Sequence, residues 1–208
     1  MAKKNHRSPE EARAAILDAA EKVIVEVGTA GLRISAVAKG ANMAHPNVLH
    51  HFGSRDGLIS AVAERVGNRA TERITSAIAR ALTMIGGDQK KLIEALTHVL
   101  DTAYQGDEGR IAVWLHLSGA ESSLKDNMQQ IVELSHKLRK SLHPDVKLQN
   151  TNRLVMLVTL ALVGEVVSGA AIKSAMGFGR DSDRARFSQW LAEFLLNLSD
   201  QELQTSLS

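Results

Sequence analysis

The chain has 208 residues, enough for one compact domain of ordinary size or for a small module joined to a larger one. Hydrophobic residues make up 44% of it and aromatic residues only 3%, a balance that supports a core but disfavours strand-rich folds. It has no cysteine, which excludes disulfides, thiolate metal sites and cysteine nucleophiles, and its net charge of +2 excludes a polycation.

The first predicted helix begins at Ser8-Pro9-Glu10-Glu11. Ser8 can cap the helix, Pro9 stands where the first helical residue needs no N–H, and Glu11 can return a hydrogen bond to the cap. Gly28 is placed to end this helix. Between them, apolar residues recur at the three- and four-residue spacing of one helical face: Ala12, Ile16, Ala19, Ala20, Val23, Ile24 and Val27.

Two short helices are predicted next, over Ile34–Ala41 and Ala44–Phe52. Pro46 is compatible with the second of them only in its first turn. Asn42, between the two helices, can adopt the left-handed backbone conformation that a tight turn requires. Met43, Val48 and Phe52 are expected to face inward. The pattern predicts a three-helix helix-turn-helix head whose third helix is free to enter a DNA major groove.

A longer helix is predicted from Arg55 to the break at Gly86-Gly87, followed by helices at about 88–105, 108–120, 124–142, 147–176 and 183–198. We therefore expect an all-α fold of about nine helices. The expected domains are an N-terminal arm and DNA-binding head over 1–54, a connecting helix over 55–86, and an effector-binding and dimerisation domain over 87–208.

The longest apolar run extends from Leu154 to Gly164 and is shorter than the roughly 18 residues that a membrane span needs. We interpret it as part of a buried helix. The N-terminus is basic but is followed by an amphipathic segment, so it does not fit a secretory signal. The sequence predicts a cytoplasmic protein that does not enter a membrane.

The outward side of the third helix carries the candidate DNA-contacting residues. Asparagine can form two hydrogen bonds with adenine, one as donor and one as acceptor. Histidine can donate to guanine acceptors or to phosphate. Residues at the starts of the second and fourth helices can add phosphate contacts, because helix N-termini favour anions. The candidates are Arg33, Ser35, Ala44, His45, Pro46, Asn47, Leu49, His50 and Arg55, with Lys3, Lys4 and Arg7 forming a basic arm.

The run Ile16-Leu17-Asp18-Ala19-Ala20, the segment Ile34–Ala41 and the run from Val48 to Leu58 resemble the TetR family of bacterial repressors. The resemblance covers roughly residues 9–62. It implies an all-α homodimer that binds a palindromic operator and releases it when a small ligand occupies the C-terminal domain. The sequence departs from the family pattern at three positions: Leu49 stands where a phosphate-contacting tyrosine is usual, Arg33 where a capping threonine is common, and Asn42 where glycine is usual.

Candidate effector contacts lie in the C-terminal half of the chain, where aromatic rings with polar tips, adaptable methionines and a carboxylate occur among apolar residues. Core packing is the alternative for the aromatic residues and methionines, and exposure or pairing with a cation is the alternative for the glutamate. The candidates are Tyr104, Trp114, His116, Met128, Met156 and Glu165. The effector itself cannot be read from the sequence.

The last two long helices have more apolar surface than one domain can cover, and Gly164 and Gly169 permit close helix approach. We expect these helices to form a homodimer seam, the alternative being that they complete the core of one chain. A dimer would hold two recognition helices at a fixed separation.

Enzyme signatures are missing from the sequence, including G-x-S-x-G, the P-loop, G-x-G-x-x-G and H-E-x-x-H. His50 and His51 are adjacent, so they point about 100° apart on a helix and do not make a metal site. We expect no catalysis, no cofactor and no metal. The predicted function is a ligand-responsive repressor; an activator or a DNA-binding protein of low specificity is the alternative.

Overall fold

The computed structural model describes residues 8–86, 88–103, 106–119, 124–178 and 182–198. Within these ranges the chain forms nine α-helices and no strand, which confirms the all-α prediction. The helices are α1 (Pro9–Gly31), α2 (Ile34–Gly40), α3 (His45–Phe52), α4 (Arg55–Leu82), α5 (Gln89–Ala103), α6 (Gly106–Leu117), α7 (Leu124–Leu142), α8 (Leu148–Ala175) and α9 (Ser182–Asn197).

Helix α1 begins with the predicted capping box. The Ser8 side chain accepts from the Glu11 N–H at 3.1 Å, and the Glu11 carboxylate accepts from the Ser8 N–H at 2.7 Å. Gly28 interrupts the helix with φ 71° and ψ 174°, and the backbone then resumes a helical turn to Gly31. The predicted end of the helix is therefore a kink, which places Gly28 directly against the indole of Trp114.

The described chain forms two compact units. The first contains the described residues of Met1–Val66 and Arg110–Ser123, and the second those of Gly67–Gly109 and Leu124–Ser208. Helices α4 and α6 each contribute to both units. This division differs from the sequence-based one, because the end of α6 supplies Ile111 and Leu115 to the core around α1–α3.

The core of the first unit consists of the inward faces of α1, α2, α3 and the first half of α4. Val48, from the middle of α3, is fully buried in it, and Met43 and Phe52 pack against it while partly exposed. This confirms the predicted inward positions. The fully buried side chains include Ile16, Ile24, Val37, Leu58 and Val62. Each contributes about 1.5–3 kcal/mol by leaving water, which makes α1 and α4 a firm support for α2 and α3.

The second unit has two smaller apolar clusters. One joins Ile78 of α4 to Leu92, Leu138 and Leu196, and the other joins Leu100 of α5 to Leu191 and Ala192 of α9. Helices α5 and α9 pack together, as do α7 and α8. Residues of both clusters, among them Ile78 and Leu100, also line a cavity in this unit.

The prediction of a buried helix at 154–164 is wrong for the single chain. Leu154 is buried, but Met156, Leu157 and Leu160 are each more than half exposed. The uninterrupted apolar run is short, yet the helix that contains it spans 28 residues and has a mean hydropathy of 2.1 in its most apolar window. By length and composition α8 could therefore cross a membrane, and only 6% of that window is buried.

Candidate nucleic-acid interface and ligand cavity

Helices α2 and α3 are joined by a tight turn in which Asn42 has φ 54°. The turn is held by hydrogen bonds from Asn42 N–H to the Lys39 carbonyl at 3.1 Å and from Met43 N–H to the Ala38 carbonyl at 2.9 Å. Asparagine tolerates this left-handed conformation better than other side chains, as the sequence predicted. A β-carbon at Gly40 would lie 3.1 Å from that of Ala19, so the end of α2 approaches α1 closely.

The outward edge of α3 is polar and accessible. Ala44, His45, Pro46, Asn47 and His50 are exposed, and Leu49 at the edge is half-buried. Helix α3 contains no lysine or arginine, so its hydrogen-bonding groups on this edge are the Asn47 amide and the two imidazoles. The inward anchor of the helix is the fully buried side chain of Val48. The helix therefore presents one face to solvent and the opposite face to the core.

Two of the other predicted DNA contacts lie at the start of α2. Arg33 is the N-cap residue of this helix and Ser35 is in its first turn, and both are exposed. Lys39, near the end of the same helix, is exposed as well. The exposed cationic groups next to α3 thus include residues on α2, which itself packs against α1.

Arg55 is placed differently from the other predicted phosphate contacts. Its Nε donates to the Leu32 carbonyl at 3.0 Å, its Nη2 donates to the Thr29 carbonyl, and its Nη1 lies 3.2 Å from a carboxylate oxygen of Asp56. The guanidinium therefore satisfies backbone acceptors that the kink after Gly28 leaves at the end of α1. Arg110 makes a similar contact to the Val25 carbonyl, at 3.1 Å.

Arg13 holds the end of α3 against α1, a role that the sequence reasoning missed. Its guanidinium carbon lies 4.4 Å from the centre of the Phe52 ring, and its Nη1 donates to the His51 carbonyl at 3.3 Å. Both contacts are favourable, because a cation is attracted to the C-terminal end of a helix dipole and to the face of an aromatic ring. No local signal could indicate this pairing, because the two contacts join residues 38 and 39 positions apart.

The second unit contains a cavity of about 160 Å³. Its wall is mostly apolar and is built by residues of α4, α5, α7, α8 and α9, together with His143 just after α7. Ile74 and Ile78 of α4 and Leu195 and Leu196 of α9 are part of this wall. An apolar cavity with a few polar groups is the usual form of a small-molecule site.

The predicted effector contacts are distributed over the molecule. Met128 lines the cavity, whereas Trp114 and His116 belong to the first unit. Met156 is 59% exposed, and Glu165 pairs with Lys173 of the same helix at 2.6 Å. Tyr104 lies outside the described residues.

The cavity wall also contains polar residues that were not anticipated, among them Arg139, His143 and Thr151. Arg139 of α7 is 9% exposed, and its Nη1 donates to the hydroxyl of the fully buried Thr151 of α8 at 3.0 Å. Nδ1 of His136 lies 3.0 Å from the same hydroxyl, and Nε2 of His143 lies 3.0 Å from the Leu196 carbonyl. A usable signal existed, since Arg139 follows Ile131 by eight residues and so interrupts the apolar stripe of α7.

A broad apolar face remains exposed on α8 and α9. On α9, the rings of Phe187, Trp190 and Phe194 stack in series with centroid separations of 5.8 and 5.6 Å, and Trp190 is 56% exposed. The exposed apolar residues of α8 include Met156, Leu157, Leu160, Val167 and Ile172. Patches of this extent on soluble proteins usually mark an interaction surface.

A family model described as "Bacterial regulatory proteins, tetR family" matches residues 16–62. The chain is 25% identical over 166 residues to the HTH-type transcriptional regulator BetI of Stenotrophomonas maltophilia, covering 76% of this chain and 83% of that one. It is 37% identical over 67 residues to the HTH-type transcriptional repressor Rv3405c of Mycobacterium tuberculosis, covering 32% and 36% of the two chains.

Among solved structures, the fold is similar to that of a TetR-family member from Streptomyces coelicolor, with a TM-score of 0.58 and 19% identity. The similarity extends over 90% of this chain and 99% of that one. The sequence match is concentrated on the helix-turn-helix head, and the structural match extends through the cavity-containing helices. Residues 16–62 are thus similar to the TetR family of bacterial regulatory proteins, and the fold is similar to that of the solved member from Streptomyces coelicolor.

Proposed function

We propose that this protein is a transcriptional repressor that binds a palindromic DNA operator as a homodimer and releases it when a small molecule occupies the cavity of the second unit. The observation that carries the proposal is the two-sided character of α3. Its inward residue Val48 is fully buried, while Asn47, His45 and His50 are exposed along one edge. A helix supported in this way can enter a major groove, which is about 12 Å wide.

The exposed edge of α3 has the chemistry needed to distinguish base pairs. The Asn47 amide can donate to N7 of adenine and accept from its N6 amino group in a bidentate contact. Imidazoles at His45 and His50 can donate to guanine acceptors or phosphate, and the Ala44 methyl can contact a thymine methyl. Pro46 and Leu49 complete this surface, and Arg33 and Ser35 supply phosphate contacts from α2.

We assign Arg55 to positioning rather than to phosphate binding. Its nitrogen atoms are engaged with the carbonyls of Leu32 and Thr29 and with Asp56. Through these contacts it fixes the start of α4, directly after α3, to the end of α1. Its effect on DNA affinity is therefore indirect.

Homodimerisation through α8 and α9 accounts for their exposed apolar face. A two-fold seam would bury Leu157, Leu160 and the stacked ring of Trp190 against their counterparts, in an isologous interface. The alternative occupant of this face is a lipid bilayer, which fits α8 by composition but leaves the aromatic row of α9 without a role. A soluble cytoplasmic dimer that binds two half-sites one turn of DNA apart needs its two α3 helices about 34 Å apart.

Ligand binding can reach the DNA-binding head through α4. This single helix supplies Leu58 and Val62 to the first core and Ile74 and Ile78 to the cavity wall. A ligand that favours a different position of α4 would shift the population of dimers away from the operator-binding arrangement. Release of DNA then requires only a difference in ligand affinity between the two states.

Selection of binding sites from random duplex DNA tests the proposal directly. We expect an inverted repeat with half-sites one helical turn apart, and an affinity that falls steeply as salt concentration rises. Equal affinity for the selected sequence and for random duplex would favour the low-specificity alternative. A promoter carrying the selected site should lose transcription when the protein is present; a gain would identify an activator.

A further inference from the structure

The hydrogen bonds of the cavity wall point to a class of ligand. We propose that the cavity takes a neutral carbonyl compound, such as a ketone, whose body lies among the apolar side chains and whose oxygen accepts a hydrogen bond from Ser135. This inference rests on the proposed function only in naming the cavity as the effector site. Binding of such a compound can be measured whether or not the protein binds DNA.

The size and lining of the cavity define the body of the ligand. A volume of about 160 Å³ is close to that of engineered apolar cavities that hold benzene, roughly 150 Å³. Side chains such as Ile78, Leu100 and Val158 offer no hydrogen bonds, so a ligand with many polar groups would leave most of them unpaired. The body of the ligand is therefore a single ring or a short alkyl chain.

Two polar side chains of the wall already donate to backbone carbonyls. The Thr159 hydroxyl donates to the Val155 carbonyl at 2.8 Å. A carbonyl oxygen only accepts, so Nε2 of His143 donates to the Leu196 carbonyl, at 3.0 Å. A ligand that accepted a hydrogen bond from either donor would have to replace a bond that the protein makes with itself.

The guanidinium of the wall is engaged as well. Nη1 of Arg139 donates to the Thr151 hydroxyl at 3.0 Å, and Arg139 has a further partner besides Thr151. The lining residues that the structure describes include no aspartate or glutamate. A carboxylate would have to draw Arg139 from its partners, an ammonium would meet no carboxylate, and either ion would lose its hydration. These costs favour an uncharged ligand.

Ser135 of α7 differs from these polar residues. Within the part of the chain that the structure describes, its hydroxyl has no hydrogen-bond partner. Ser135 lies seven residues after Met128 and seven before Leu142, and both of these residues also line the cavity. This helical spacing directs the serine side chain to the same face of α7. Its hydroxyl is therefore an available donor midway along the wall that α7 provides.

A carbonyl oxygen suits this hydroxyl. The hydroxyl has one proton to donate and a carbonyl oxygen only accepts, so the pair leaves no donor without a partner. A hydrocarbon of the same shape would cover the hydroxyl and deprive it of any partner, which is unfavourable in a site that excludes water. The hydrogen bond from Ser135 therefore selects a ketone over its hydrocarbon analogue.

The test compares probes that share one ring on the full-length protein by ligand-observed NMR titration: cyclohexanone, methylenecyclohexane, cyclohexanecarboxylate and cyclohexylamine. Methylenecyclohexane has the shape of cyclohexanone with a methylene group in place of the oxygen. We expect cyclohexanone to bind at least about tenfold more tightly than the carboxylate or the amine, which are both charged at neutral pH.

The role of the serine is tested by substitution. Ser135→Ala should weaken cyclohexanone binding about fivefold and change methylenecyclohexane binding by less than about twofold. Ser141→Ala, the same change at an exposed serine of α7 that does not line the cavity, should leave both affinities unchanged. If Ser135→Ala weakens both neutral probes equally, or neither of them, the hydroxyl does not bind the carbonyl and the proposal is wrong.

Equal or tighter binding of the carboxylate or the amine to the unaltered protein would overturn the proposal, as would the failure of cyclohexanone to bind. These comparisons need no variant, so they decide the ligand class even if Ser135→Ala does not fold. Fluorescence anisotropy with the selected operator separates the two proposals. Operator binding without cyclohexanone binding refutes the ligand class alone, whereas cyclohexanone binding without operator binding refutes the repressor alone.

Discussion

Asn47 and Arg55 lie on neighbouring helices, yet the structure gives them different surroundings. Asn47 is exposed on the outward edge of α3, whereas the Arg55 side chain is 40% exposed and donates to carbonyls at the end of α1. An exposed amide is free to contact bases, and a guanidinium on backbone carbonyls fixes helix position. The two residues therefore lead to different expectations for DNA binding and for stability.

Replacing Asn47 with alanine should weaken binding to the preferred operator by about 1–3 kcal/mol and relax base preference in each half-site. The reason is that one bidentate contact is lost while the phosphate contacts remain. Competition binding against single-base operator variants measures the effect. Asn152→Ala, at an exposed asparagine of α8, serves as the control and should match the unaltered protein. A uniform loss on all sequences would contradict the assignment.

Arg55→Ala and Arg33→Ala should separate structural from electrostatic roles. We expect Arg55→Ala to lower the free energy of unfolding by about 1–3 kcal/mol, because the carbonyls of Leu32 and Thr29 lose their donor. Arg33→Ala should leave stability within about 0.5 kcal/mol and reduce the salt dependence of DNA binding by about one counterion. Urea denaturation and salt titration give the two readouts. A stable Arg55→Ala protein with a reduced salt slope would show that Arg55 contacts phosphate.

At the scale of the helices, the break at Gly28 illustrates a requirement for glycine. The backbone there has φ 71°, and a β-carbon would lie 3.1 Å from the Trp114 ring. Gly53, after α3, has almost the same φ, 73°, but open space within 4 Å. Comparing alanine substitutions at Gly28 and Gly53 therefore separates the cost of backbone strain from the cost of a steric collision.

Gly28→Ala should lower the free energy of unfolding by more than Gly53→Ala does. Backbone strain alone costs of order 1 kcal/mol, and displacement of the indole should add about 1–3 kcal/mol. Thermal or urea unfolding of the two variants, under one set of conditions, measures the difference. Equal losses would mean that Trp114 moves aside without cost.

Local signals predicted much of the fold. The capping box at Ser8, the left-handed turn at Asn42 and the inward position of Val48 each depend on residues within a few positions, and the structure confirms them. The contacts of Arg13 and Arg139 join separate helices, so helical spacing alone could not identify their partners. The wrong prediction that residues 154–164 are buried has the same origin, because the burial of a helix depends on which other helices pack against it.

For the candidate site, the sequence indicated a set of α3 residues that the structure places on the exposed edge of the helix, but whether these residues contact DNA stays a prediction. The effector site was harder to anticipate. Of the six candidates, Met128 alone among the described residues lines the cavity, because the wall is assembled from five helices distant in the chain. The aromatic or polar character of a residue does not predict that it lines a cavity unless the helices that pack around it are also known.

At the scale of the whole molecule, the exposed faces of α8 and α9 predict self-association. Trp190→Glu should convert the dimer to a folded monomer, because a carboxylate buried against the partner's apolar surface lacks a compensating charge. We expect the dissociation constant to rise on the order of 100-fold. Sedimentation equilibrium gives the mass, and Gln130→Glu at an exposed position of α7 is the charge-matched control.

The dimer prediction fails if Trp190→Glu keeps the mass of the unaltered protein, or if the unaltered protein is already a monomer. Binding of the unaltered protein to lipid vesicles in place of self-association would assign the apolar face to a membrane. Circular dichroism of the variant confirms that a change in mass does not reflect unfolding.

The absence of lysine and arginine from α3 has an evolutionary consequence. The groups that we propose to discriminate bases lie on that helix, while cations such as Arg33 and Lys39 lie on α2. Substitutions along the exposed edge of α3 can then redirect the protein to a new promoter without altering its general attraction to nucleic acid. After gene duplication, a copy could acquire different target genes in few steps and still search the chromosome as efficiently as its parent.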